Sequence, residues 1–440
     1  MIEFDDLTKG QREAYECATD LITQAYEQES NWKAKVSHLT INGPAGTGKS
    51  LLMKFIMDFI EQEGIPGVVL AAPTHASKKV LADFTGREVS TIHSILKINP
   101  VTYEEHRIFE QRKAPELDKI RVLICEEASF YDTKLFELLM NNIMPWTLVI
   151  AIGDKAQLKP QDDPGVSRFF TDQRFKQMHL TEVKRSNQPI IEVATEIRNG
   201  GWIRENIQNG EGVFHPPSLR DMMLDYFKQI KCQEDFFDNR FFAYTNKSVD
   251  KLNQIIRKNF YKSEAPFIVG ESLVMQEPFM QTIKFEGKKM KEIIFNNGEV
   301  VQVLEIKEMN RKLECRGVDF KISLPYFLLK VQSIDEGTTN YINVVYGEEN
   351  QTQLWMFLGK VAQQYKSGNG RAYWDDFWEI KDAFSKVKPI PCSTIHKAQG
   401  VTVKNSFLYT PCIIKYAEVD VASQLLYVGT TRAQKNVWYI

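Results

Sequence analysis

The six cysteines, Cys17, Cys125, Cys232, Cys315, Cys392 and Cys412, are scattered, and no two form a C-x-x-C pair. That spacing excludes the common zinc and thiol-redox motifs and offers no disulfide framework, so a reducing compartment is expected. No run approaches the ~18 apolar residues that a membrane-spanning helix needs. The first residues, Met1 to Asp6, carry neither the basic nor the apolar region of a secretory signal, so a cytoplasmic protein without membrane contact is expected. Net charge is nearly absent, since 55 basic and 57 acidic residues leave −2. Any hold on nucleic acid must then come from local basic and aromatic residues, not from a global field. Internal repeats and low-complexity tracts are missing too. What is present is apolar material, 43% of 440 residues, enough for roughly three domains of about 150 residues each.

Gly43, Pro44, Ala45, Gly46, Thr47, Gly48, Lys49 and Ser50 run between the short apolar segment Leu39–Asn42 and Leu51–Ile60, whose apolar residues recur at helical spacing. Strand, Gly-rich loop and helix in that order are what a phosphate-binding loop requires. The glycines let successive N–H groups turn towards phosphates, and the new helix adds the positive end of its dipole. Lys49 would reach the β- and γ-phosphates, and the Ser50 hydroxyl would hold Mg²⁺. A chance glycine turn before a helix is the bland alternative, and the complete match in the right context argues against it. The segment implies a nucleoside triphosphate.

Two further segments carry acids or amides to strand ends. The apolar run Val122–Cys125 leads into Glu126 and Glu127, the form of a Walker B segment. One carboxylate would anchor the Mg²⁺ shell and the next would orient and deprotonate an attacking water. Paired acids after a strand are also common on surfaces, and the phosphate loop upstream favours the site reading. The next run ends in Gly153-Asp154-Lys-Ala-Gln157. In a parallel sheet the carboxyl ends of strands face the ligand crevice, so Asp154 and Gln157 should point towards the γ-phosphate. Asp154 is equally suited to capping a helix, and both roles are compatible.

The whole chain reads as α/β. Buried parallel strands are expected at Val68–Ala72, Val122–Cys125, Leu148–Ile152, Phe241–Tyr244 and Ser406–Tyr409. Two connections are too long for simple crossovers. Pro73 to Arg121 has room for a helix and a small inserted element, and Lys247 to Pro391 for an inserted domain. The middle of the latter is β-rich, with runs on both sides of Asn297-Gly298 that read as a hairpin. Its end turns helical around Leu354–Tyr365 and Tyr373–Phe384.

The three nucleotide-site segments join four others in one order: Thr8 to Gln11, Leu180 to Ser186, Ser393 to Gly400, and Tyr427 to Arg432. That ordered set resembles the superfamily 1 helicases, and within them the RecD/Pif-type branch, superfamily 1B. The similarity to phage members of that branch runs essentially end to end and includes Ala71 to Ala76, Ser90 to Ser94 and Val101 to Glu105. The resemblance implies two RecA-like P-loop domains with parallel sheets. The first would be built from 1–83 and 116–180, the second from 181–247 and 389–440. A small pin would occupy 84–115 and a β-rich SH3-like insertion 248–388. It implies ATP and Mg²⁺ as cofactors and translocation from 5′ to 3′ along DNA. Gln11 would read adenine, and Arg185 and Arg432 would act as arginine fingers. Thr74, His75, Thr91, His93, Thr245, Asn246, Lys247, Thr394, His396 and Lys397 would line a single-strand track.

Within the pin, Val101 to Gln111 reads as a short hairpin presenting Phe109, either as a wedge at the duplex junction or as an anchor. The stretch Arg371 to Trp378 places Trp374 and Trp378 four apart on one helical face. They are expected either to stack bases or to pack the helix. The branch usually carries Asp-Glu where this chain has Glu126-Glu127. The longer Glu126 would reach the metal through a coordinated water, because Mg²⁺ tolerates little departure from octahedral geometry.

The implied activity is unwinding of duplex DNA in phage replication or recombination. Two alternatives stay open: a translocase that strips proteins from single strands, and a single-strand-binding module with a weakened ATPase. Single-stranded and forked DNA are the expected partners, with replication or single-strand-binding proteins beside them. A monomer working in the host cytoplasm is expected.

Overall fold

The apolar runs Val68–Ala72, Val122–Cys125 and Leu148–Gly153 suit the middle of a sheet whose faces are both covered, and more polar strands pair beside them. In a computed structural model they form a six-stranded, wholly parallel sheet. Described are residues 4–28, 31–104, 106–111, 113–160, 163, 165–183, 188–285, 288–368 and 371–440. The strand order is Val89–Thr91, Val68–Ala72, Val122–Cys125, Leu148–Gly153, His38–Asn42, Phe175–His179. Successive side chains leave a strand on opposite faces. Val122, Ile124, Leu148 and Ile150 therefore join Ile22, Leu52 and Ile56 of the helices Lys9–Glu27 and Lys49–Gln62. Leu123, Cys125, Val149 and Ala151 join Tyr131, Phe136 and Leu139 on the other side. Burying each such aliphatic side chain contributes about 1.5–3 kcal/mol. Both packed faces leave the strands' carboxyl ends as the place where a ligand can sit.

A second six-stranded sheet has the order Cys392–Thr394, Asn239–Ala243, Val403–Leu408, Ala433–Tyr439, Glu211–Phe214, Asn206–Gln208. Its first five strands are parallel and the last is antiparallel. Rings run across four adjacent strands, with Phe241–Phe407, Phe407–Trp438 and Phe214–Trp438 stacked at 5.2, 4.5 and 5.0 Å. Cross-strand aromatic pairs of this kind stabilise a sheet beyond their buried area.

The chain divides into two compact units. One comprises Met1–Asn99, Gln111–Leu252 and Pro391–Ile440, and so holds both parallel sheets; the other comprises Pro100–Glu110 and Asn253–Ile390. The second unit is built on a five-stranded antiparallel sheet, ordered Thr339–Val344, Ile322–Ser333, Val300–Leu313, Ser272–Met275, Val387–Pro389. Two helices, Glu348–Lys366 and Trp374–Asp382, pack on it.

The hairpin expected around Asn297-Gly298 does not form. Lys288–Phe295 pairs with Phe279–Phe285, whereas Val300–Leu313 pairs with Ile322–Ser333 and Ser272–Met275. The turn itself is present, with Gly298 at φ +85°. Its N–H is claimed by Met275 O at 2.8 Å, so the two strands are led into different sheets. The short hairpin read around Phe109 is found, as Ile98–Tyr103 and His106–Gln111.

Candidate functional site

The loop after His38–Asn42 owes its shape to glycine at three positions. A Cβ on Gly43 would lie 2.7 Å from Thr47 Oγ1 and 2.9 Å from Leu180 Cβ, so no larger residue fits. Gly46 and Gly48 sit at φ +85° and +73°, where other residues are strained. The helix Lys49–Gln62 begins directly after Gly48 with no side-chain cap, which leaves its first N–H groups without a capping oxygen. Lys49 Nζ donates to Gly43 O at 2.8 Å and Pro44 O at 2.9 Å. An uncapped helix start, turned backbone N–H groups and an ammonium together form an anion cradle. This donor set fits a polyphosphate.

Gln11 is buried and bonded on both sides of its amide. Its Oε1 accepts the Thr8 N–H at 2.8 Å and its Nε2 donates to Thr47 O at 2.9 Å. It closes the capping box of the first helix and ties that helix to the phosphate loop.

At the neighbouring strand ends two acceptors stand without partners. Glu127 has φ +51°, a left-handed conformation unusual for a residue with a Cβ. Its Oε2 is buried with no hydrogen-bond partner, and so is Oε1 of Gln157. Leaving a buried acceptor unanswered costs about 1–3 kcal/mol. Two on adjacent strand ends mark a place where donors are meant to arrive. Beside the loop a cavity of about 740 Å³ is lined by Asn42, Pro44, Ala45, Leu180, Arg198 and Tyr427. That volume suits a nucleoside.

Asp154 is fully buried. Its Oδ1 accepts the Ala156 N–H at 3.0 Å and Arg198 Nη1 at 2.8 Å, and its Oδ2 accepts the Tyr427 hydroxyl at 2.7 Å; the Ala156 bond closes a turn and not the expected helix start, since 154–160 hold no helix. The sequence offers no sign of Arg198, and Tyr427 opens the motif segment Tyr427 to Arg432 without a role of its own there. An arginine in the last turn of an amphipathic helix is a common C-terminal feature, and only the packed structure turns this one inward.

Arg432 is bonded to backbone carbonyls of the second sheet's connections. It is 4% exposed, and its guanidinium donates to Val428 O at 3.1 Å and to Ala398 and Val401 O, each at 3.4 Å. The end of the helix Val419–Thr431 leaves carbonyls to be satisfied; Arg432 answers that of Val428 and ties the helix end to Ala398 and Val401. Arg185 lies outside the described residues.

The threonines expected on a strand track share one local device. Thr74, Thr91, Thr245 and Thr394 each stand at a strand end and accept a backbone N–H three residues on, from Ser77, Ser94, Ser248 and Lys397. Two belong to each parallel sheet, so the same strand–threonine–helix corner recurs along both. His75, His93 and His396 follow three of them, and Asn246 and Lys247, both exposed, follow the fourth. Burial lowers the His93 and His396 imidazoles below their usual range, which keeps both neutral at neutral pH.

In the second unit Phe109 is 66% exposed. Trp378, by contrast, is 8% exposed; its indole N–H donates to Glu104 O at 2.7 Å and the Arg107 guanidinium lies 4.8 Å over its ring. Trp374 packs edge-on against Tyr365 and Phe377 at 5.3 and 5.5 Å. Packing, not base stacking, accounts for Trp378, and Trp374 belongs to the same cluster.

Known proteins match this chain throughout its length. Residues 24–211 match the family described as AAA domain, 264–389 the Dda helicase SH3 domain and 389–440 the UvrD-like helicase C-terminal domain. The chain is 49% identical to the ATP-dependent DNA helicase dda of Enterobacteria phage T4, over 99% of this chain and 100% of that one. The chain belongs to the Dda family of superfamily 1B helicases. An ATP-dependent RecD2 DNA helicase of Deinococcus radiodurans is 31% identical over 37% of this chain and 22% of its own length. Among solved structures, the Pif1 helicase of Candida albicans shares the fold at a TM-score of 0.50 and 17% identity, covering 100% of this chain and 95% of that one.

Proposed function

We infer that this chain is an ATP-dependent DNA helicase that moves along single-stranded DNA from 5′ to 3′ and opens forked duplexes. One observation carries the reading: the phosphate loop stands beside two strand ends whose buried acceptors, Glu127 Oε2 and Gln157 Oε1, have no partner. In a hydrolase that is where an attacking water is received and oriented. Lys49 and the loop N–H groups would hold the triphosphate. Ser50 and Glu126 would hold Mg²⁺, the latter through water, and the ion would supply charge neutralisation at the phosphates.

The repeated threonine corners suit a track in which hydroxyls and backbone N–H groups meet successive phosphates, since phosphate contacts position a strand without reading its sequence. Thr74, His75, Thr91 and His93 would serve the first sheet, and Thr245, Asn246, Lys247, Thr394, His396 and Lys397 the second. The hairpin carrying Phe109 would be the pin, and the antiparallel sheet the SH3-like domain. Action as a monomer in the host cytoplasm, beside replication or single-strand-binding proteins, belongs to the same reading.

Duplexes with a 5′ single-stranded tail are expected to be unwound and those with only a 3′ tail left intact, in a strand-displacement assay. The opposite preference would overturn the assigned polarity. An exposed aromatic at a hairpin can stack on a terminal base pair, worth about 1–3 kcal/mol. Phe109→Ala should therefore slow unwinding while sparing ATPase stimulated by single-stranded DNA; equal loss of both would mean that Phe109 only anchors the hairpin.

A further inference from the structure

A fully buried carboxylate is costly unless its lone pairs are answered. Asp154, from the first parallel sheet, is answered in part by Arg198 and Tyr427. Those two residues belong to the helices Gln188–Arg198 and Val419–Thr431, which pack on each other and on the second sheet. The carboxylate is thus a tie between the two sheets.

Tyr427 does more than answer Asp154. Its hydroxyl accepts the N–H of Ala45 at 3.3 Å and Arg198 Nη1 at 3.2 Å while donating to Asp154 at 2.7 Å. With two donors on its oxygen and its proton committed, the hydroxyl has no capacity left. Ala45 lies in the phosphate loop, whose N–H groups are the donors a phosphate claims. Burial and the neighbouring carboxylate push the phenol well above its usual range, so it stays protonated and keeps this pattern.

We propose that Tyr427 is a positioning residue that stands in for a phosphate oxygen at the Ala45 N–H, held there by Asp154 and Arg198, and that nucleotide must take this donor from it. Loop occupancy and the tie between the sheets are then linked: whatever claims Ala45 loosens one bond of the tie, and a tightened tie weakens nucleotide binding to the same degree. The proposal rests on the reading of the loop as a nucleotide site.

Tyr427→Phe keeps the ring and removes only the hydroxyl. The loss of its bond to Asp154 is common to free and bound protein, whereas the bond to Ala45 exists only in the free protein. Titrated with a fluorescent ADP analogue in the absence of DNA, the variant is expected to bind about two- to tenfold more tightly, the range of one net hydrogen bond. In the nucleotide-free parent the Ala45 amide should exchange slowly with deuterium, and in the variant faster. Unchanged or weaker affinity, or fast exchange at Ala45 in the parent itself, would overturn the proposal; the second measurement needs no variant to fold. If the parent binds the analogue no better than Lys49→Ala does, the nucleotide site is wrong and the proposal falls with it.

Discussion

Lys49→Ala is expected to abolish ATP hydrolysis and unwinding while leaving single-strand binding intact. The ammonium is seated in the loop, donating to Gly43 O and Pro44 O. Removing it takes away the charge that would meet the β- and γ-phosphates, and no neighbouring side chain of the loop can replace it. The corners at Thr74, Thr91, Thr245 and Thr394 are built from other residues and should be untouched. The check is a pair of assays on one preparation: phosphate release with and without single-stranded DNA, and a fluorescence-anisotropy titration with an oligonucleotide. Retained DNA-stimulated turnover would remove the loop from the mechanism. Loss of DNA binding as well would place Lys49 in the strand track.

The second large effect is expected at Glu127. Its orphaned Oε2 and left-handed backbone are features that cost stability and are kept where a group must stay poised. Glu127→Gln conserves the shape but removes the base, and a positioned base contributes about 10²–10⁴-fold, so turnover should fall by that order. Glu126→Asp should behave in the opposite way, with ATPase equal to the parent or higher, because the shorter acid is the one usual at this position in related helicases. The two variants separate the roles of neighbouring residues in a single steady-state assay. Should Glu126→Asp destroy turnover while Glu127→Gln is tolerated, the metal anchor and the base would have to be exchanged.

The nucleotide site was legible because its parts are sequential. Gly43 to Ser50 lie within one loop, and strand-to-acid junctions such as Cys125–Glu126 are read from adjacent letters. The same holds for Val68–Ala72 and Val122–Cys125, where apolar runs between polar turns set strand bounds directly. Elsewhere the partner mattered more than the pattern. Asn297-Gly298 makes the expected turn, yet Met275 captures it and the flanking strands part. Trp374 and Trp378 have helical spacing whether they stack bases or fill a core; the hairpin carbonyl of Glu104 decided for Trp378. Gln11 and Arg432 stand in the expected motifs, but their polar groups are used on Thr47 and on the carbonyls of Val428, Ala398 and Val401.

By itself, the sequence determined the α/β class, the phosphate loop and the family, since each is written in short-range order that survives without coordinates. Tertiary structure alone decided which polar groups meet. Tyr427 and Asp154 are 273 residues apart in the chain and 2.7 Å apart in space. No local propensity encodes such a contact; it exists because the helices Gln188–Arg198 and Val419–Thr431 bring Arg198 and Tyr427 to the end of a strand of the first sheet, where a buried carboxylate must find donors.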